Sequence, residues 1–64
     1  MPFARILPAF ESGFSIYRQS LLDVTYTLFK CRGEAFILKN TYGKESVIHT
    51  FEIDDILAND WMYV

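Results

Sequence analysis

Apolar and polar residues change their spacing along this chain, and each change marks a new element. Phe3, Ile6, Leu7 and Phe10 fall three or four positions apart, the spacing that lines one face of a helix. A short helix over residues 4–12 is predicted. Gly13 is its C-terminal stop, because glycine takes the left-handed conformation that ends a helix. Pro8 lies deeper than the first turn, where proline is tolerated, so the early turns are expected to be strained or partly 3₁₀.

Beyond Gly13 the period becomes two. Phe14-Ser15-Ile16-Tyr17-Arg18-Gln19 alternates, and Val24-Thr25-Tyr26-Thr27-Leu28-Phe29 is rich in β-branched and aromatic residues. Cys31-Arg32-Gly33 fits a three-residue hairpin loop with Gly33 left-handed. Residues 35–40 read as a strand, Thr41-Tyr42-Gly43-Lys44 as a second hairpin turn, and 46–51 as another strand. Residues 53–59 predict one or two helical turns with Asp54 or Asp55 as N-cap. A terminal strand follows over 60–64.

The fold class that results is α+β, in one domain over residues 1–64. One N-terminal helix packs on a small antiparallel sheet of four to five strands, with a short helical turn before the last strand. Phe36 and Leu38 oppose Ala35 and Ile37 across one strand, and Val47 and Phe51 oppose Ile48 across another. Both sides of those strands are thus apolar, and one short helix covers only one side. The uncovered face is expected to meet a partner subunit or a ligand.

Composition sharpens that expectation. A chain of 64 residues buries only about 60% of the surface its unfolded state exposes. Its single cysteine excludes an internal disulfide, and no zinc-ligand cluster is visible. Self-association as a dimer or tetramer is the expected remaining support. A net charge of −2 argues against binding to duplex nucleic acid, which needs a basic face. No apolar run approaches the ~20 residues of a membrane span. Met1-Pro2-Phe3-Ala4-Arg5 lacks a signal-peptide pattern, and one unpaired cysteine fits a reducing compartment, so a cytoplasmic location is expected.

The chemistry-bearing residues are few. His49 is the only histidine. With no partner evident in sequence, it reads as a hydrogen-bonded or interface residue before it reads as a catalytic base. Cys31 lies between Lys30 and Arg32 in a turn and reads as an incidental thiol. Asp54, Asp55 and Asp60 suit helix capping better than a metal site. The three glycines stand singly, so there is no phosphate loop. No catalytic set, cofactor or metal is expected. Arg18 is either a surface residue whose stem covers the sheet edge or an anion contact at a subunit junction. Trp61 reads as a core residue of the last strand, with a flat face able to stack on a base.

Phe36-Ile37-Leu38-Lys39-Asn40-Thr41-Tyr42-Gly43-Lys44-Glu45-Ser46-Val47, followed by Asp55-Ile56-Leu57-Ala58-Asn59-Asp60-Trp61, resembles the closing half of the Thoeris anti-defence 2 family. These are small phage and bacterial domains. Phe3, Gly13 and Arg18 match the family's opening. Leu21 stands near where the family carries a Trp, and the loop between the halves is shorter. The resemblance implies an α+β oligomer that sequesters a cyclic nucleotide immune signal at subunit interfaces without cleaving it. The signal would be a cyclic ADP-ribose isomer or a cyclic dinucleotide. Phe3, Arg18, His49, Asp55, Asn59 and Trp61 are the ligand-binding residues on that reading, with Arg18 on the phosphates and Asp55 and Asn59 on ribose hydroxyls. The alternative is a small inhibitor that docks on a host enzyme through a sheet edge or exposed apolar face.

Overall fold

The apolar stripe of the first segment becomes the packing face of helix α1, Phe3–Glu11. The computed structural model describes residues 1–64. Ile6 and Phe10 are buried, with Phe3 and Leu7 half-buried beside them. The helix runs as α through Pro8. Of the strained or partly 3₁₀ start expected there, the only trace is one 3₁₀-type bond, from the Arg5 N–H to the Pro2 carbonyl. Gly13 takes φ +98°. Its N–H bonds the Phe10 carbonyl, and the Phe14 N–H reaches back to Ala9. That is the Schellman pattern, and it needs the left-handed residue that glycine supplies.

Five strands follow the period-two segments: β1 (Ile16–Arg18), β2 (Leu21–Cys31), β3 (Glu34–Thr41), β4 (Lys44–Ile48) and, after a second helix α2 (Ile53–Leu57), β5 (Trp61–Tyr63). They form one antiparallel sheet in the order β4-β3-β2-β1-β5. The first four are a simple meander. The segment after β4 then crosses the sheet so that β5 pairs with β1 at the far edge. This is the predicted α+β fold.

Both long hairpins close with two residues at positive φ: Arg32 (52°) with Gly33 (83°), and Tyr42 (53°) with Gly43 (83°). These are type I′ turns, whose twist matches that of the paired strands. The three-residue loop expected at Cys31 is therefore a two-residue turn, and Cys31 ends β2 opposite Glu34.

Alternation then sorts the side chains. Ile16, Tyr26, Ile37 and Trp61 point toward α1 and form the buried core with Ile6 and Phe10. β4 stops at Ile48, three residues short of the predicted end. Phe51 consequently leaves the sheet and folds over the helix side, its ring 5.0 Å from Tyr26 and 5.4 Å from Phe10. Val47 and Phe51, expected on one face, end on opposite sides for that reason. Both helices lie on the same side of the sheet, and the other face is bare.

Candidate functional site

Four of the residues singled out in the sequence, Arg18, Asp55, Asp60 and Trp61, meet at one corner. The regular β1–β5 pairing sets Arg18 opposite Trp61, while on its other side β1 shifts register against β2 between Tyr17 and Arg18. Arg18 Nε donates to Asp60 Oδ1 at 2.9 Å, and Nη1 donates to Asp55 Oδ1 at 3.1 Å. The second oxygen of Asp60 accepts the Ser20 N–H at 3.0 Å. Hydrogen bonds from Ser20 and Arg18 hold the Asp60 carboxyl well below the usual carboxylate range. The bond from Asp60 in turn raises the Arg18 guanidinium further.

This corner revises several expectations. Asp55 is buried and faces Arg18, whereas the N-cap of α2 is Glu52, with no side-chain capping bond. Arg18 already neutralises two carboxylates, so it is not a free phosphate contact within one chain. Trp61 is fully buried. Its indole N–H donates to the Asp55 carbonyl at 2.8 Å, and Phe3, Tyr26 and Phe51 surround its ring at 5.6–5.7 Å. No base can stack on it without opening the core. Phe3 is half-buried against Trp61 and Phe51. Asn59 is exposed in the α2–β5 connection. Asp55, Asp60, Arg18 and Trp61 together lock the crossover segment to the sheet edge.

His49 lies elsewhere. It follows β4, at the sheet edge opposite β5, and its ring sits 5.6 Å from Phe36. Phe36 in turn lies 5.4 Å from Phe29 in a tilted stack. These three belong to the bare face, which also carries Tyr17, Thr25, Thr27, Leu38, Val47 and Met62 by the register of the strands. Val47 is 52% exposed and Phe29 37%. Ser15 and Thr27 share a hydrogen bond of 2.7 Å across it.

Sequence reasoning foresaw an uncovered apolar face, with Phe36, Leu38 and Val47 on it, but of the candidate ligand-binding residues only His49 lies there. The signal was the strict alternation of β2 and β3, which puts Phe29 and Phe36 in one cross-strand pair. A second exposed apolar stripe runs along α2, through Ile53, Ile56 and Leu57. A single chain carries no pocket and no group of three metal-ligating side chains. No helix is long and apolar enough to cross a membrane. Comparison with family models, curated proteins and solved structures returns no match.

The Asp60 carboxyl gives a pH prediction. Its folded pKa lies below its unfolded value of about 3.9, so its contribution to stability is complete above the unfolded value. That contribution is lost as pH falls through the acid range toward the folded value. Thermal melts from pH 7 down to pH 2 should show the melting temperature falling below about pH 5. Asp60→Asn should start lower at pH 7 and show a shallower fall. An unchanged acid slope would mean that Asp60 is not held by this network.

Proposed function

We propose that this chain is a non-enzymatic binding protein that acts by docking the bare face of its sheet on a protein target. One observation carries the reading. Both helices cover the same side of the sheet, leaving Phe29, Phe36, Leu38 and Val47 on a face with no element of the chain against it. Monomeric proteins seldom leave a continuous apolar surface of this kind without a use for it. An inhibitor needs no catalytic set, only a shaped surface.

A second reading follows from the resemblance to the Thoeris anti-defence 2 family: sequestration of a cyclic nucleotide signal between copies of the chain in the cytoplasm. The observation that favours it is the Phe29–Phe36–His49 row, in which the exposed rings of Phe29 and His49 flank the half-buried Phe36 and offer a base a stacking surface. It requires a second copy to supply the phosphate contacts that Arg18 does not offer within one chain. On this reading the matched Asp55–Trp61 segment serves as scaffold, and His49 is the ligand contact.

One preparation separates the two. The chain is expressed in bacteria that make cyclic nucleotide signals, and the co-purifying proteins and small molecules are identified by mass spectrometry. Docking predicts one stoichiometric protein. Val47→Lys should abolish its capture without lowering the melting temperature, because Val47 is half exposed. Sequestration predicts an intact nucleotide released on heating, calorimetric heat with cyclic ADP-ribose isomers or cyclic dinucleotides, and a solution mass at a multiple of 7.5 kDa. A monomer that captures neither would overturn both readings.

A further inference from the structure

Alternation sorts charge as well as apolarity on the long strands. By register, Glu34 pairs with Cys31 and Glu45 with Asn40, and Asp23 directly precedes Val24, which packs on the core from the helix side. All three carboxylates therefore share the bare face with Phe29, Phe36, Leu38 and Val47. Lys30 pairs with Ala35, Lys39 with Tyr26 and Lys44 with Thr41. Those lysines lie on the helix side, and Lys39 sits 5.9 Å from the Tyr26 ring centre. Asp23, Glu34 and Glu45 are exposed, and none forms a salt bridge. The bare face has an apolar centre, acidic borders and no lysine from its own strands.

Its size adds a constraint. Five strands spaced ~4.8 Å apart, with ~3.3 Å per residue, make a face roughly 20 Å on a side. That is about 400 Å² per partner, half of what a standard interface buries on each side. A helix ~10 Å across fits such an area.

Building on the docking reading above, we infer that the bare face takes a single amphipathic segment of another protein, with apolar side chains flanked by lysine or arginine. Unpaired carboxylates repel phosphate, so the same face disfavours an anionic nucleotide. A second copy presenting this face would bring one acid-bordered patch against another, with no lysine from its strands to offset the charge, since such a contact pairs identical patches. A basic segment meets no such opposition and gains from charge complementarity.

The test uses the full chain and three synthetic amphipathic peptides with one apolar pattern: Leu/Lys, Leu/Gln and Leu/Glu. Fluorescence anisotropy measures affinity, and amide shifts locate the site. The Leu/Lys peptide should bind at least about tenfold tighter than Leu/Glu, a difference of about 1.4 kcal/mol, and weaken as salt is raised. Shifts should fall on Thr25, Thr27, Leu38 and Val47. Asp23→Asn/Glu34→Gln/Glu45→Gln should remove that preference. Glu11→Gln/Glu52→Gln/Asp54→Asn, which loses the same charge away from the face, should change affinity less than about twofold.

Binding at the face without a charge preference, or an equal loss in both triple variants, overturns this inference and leaves the docking reading standing. If no peptide moves those amides, the docking reading falls with it. Sedimentation showing that a second copy already covers the face would overturn the inference in favour of self-association.

Discussion

Trp61→Ala should leave the chain without a cooperative fold at 37 °C. The indole is fully buried and forms the hub of an aromatic cluster with Phe3, Tyr26 and Phe51. Truncating a buried Trp costs about 3–5 kcal/mol. A domain of this length has total stability of roughly 3–10 kcal/mol at 0.05–0.15 kcal/mol per residue. The same substitution removes the indole N–H from the Asp55 carbonyl, which then accepts only the longer Ala58 N–H bond, and it loosens the crossover that brings β5 to β1. Circular dichroism and amide dispersion in NMR should show an unfolded or aggregated chain. Trp61→Phe, which keeps most of the ring but not the N–H, should fold with a lower melting temperature. A folded Trp61→Ala protein with wild-type melting would mean that Trp61 is exposed in solution, and would return it to the list of stacking candidates.

Arg18→Ala is expected to destabilise the fold by about 2 kcal/mol, the range for losing hydrogen bonds between charged groups. Asp55 is only 8% exposed, and removing its cation leaves a carboxylate short of both solvent and partner. The cost is below that of a fully enclosed pair because the Arg18 side chain keeps 20% of its surface. Chemical denaturation should show a lower midpoint. Adding Asp55→Asn to Arg18→Ala should recover part of the loss, since the unpaired charge is then gone. A midpoint unchanged by Arg18→Ala would restore the reading of Arg18 as an anion contact held free for a ligand.

These two residues mark where reading the chain in one dimension stops. Arg18 was identifiable as unusual, because it follows Ile16 on the inward side of a strand. Its partners lie 37 and 42 positions away, and no local spacing relates them. Asp55 illustrates the same limit. Two adjacent aspartates before an apolar run look like helix caps, and local physics favours that role. The tertiary contact with Arg18 wins because it satisfies a carboxylate that packing has already removed from water.

What local pattern did determine is the set of elements. Helical spacing from Phe3 to Phe10, the Gly13 stop, the two turns ending in Gly33 and Gly43, and the alternation between them specify one helix and a meander, because each depends only on neighbours. The helix that covers one side, the edge strand that receives β5 and the side to which Phe51 turns depend on contacts between distant residues. Alternation made the strands two-faced in sequence. Only the crossover after β4, anchored by Trp61 and the Arg18 ion pairs, put both helices on one side and left the acidic, aromatic face open.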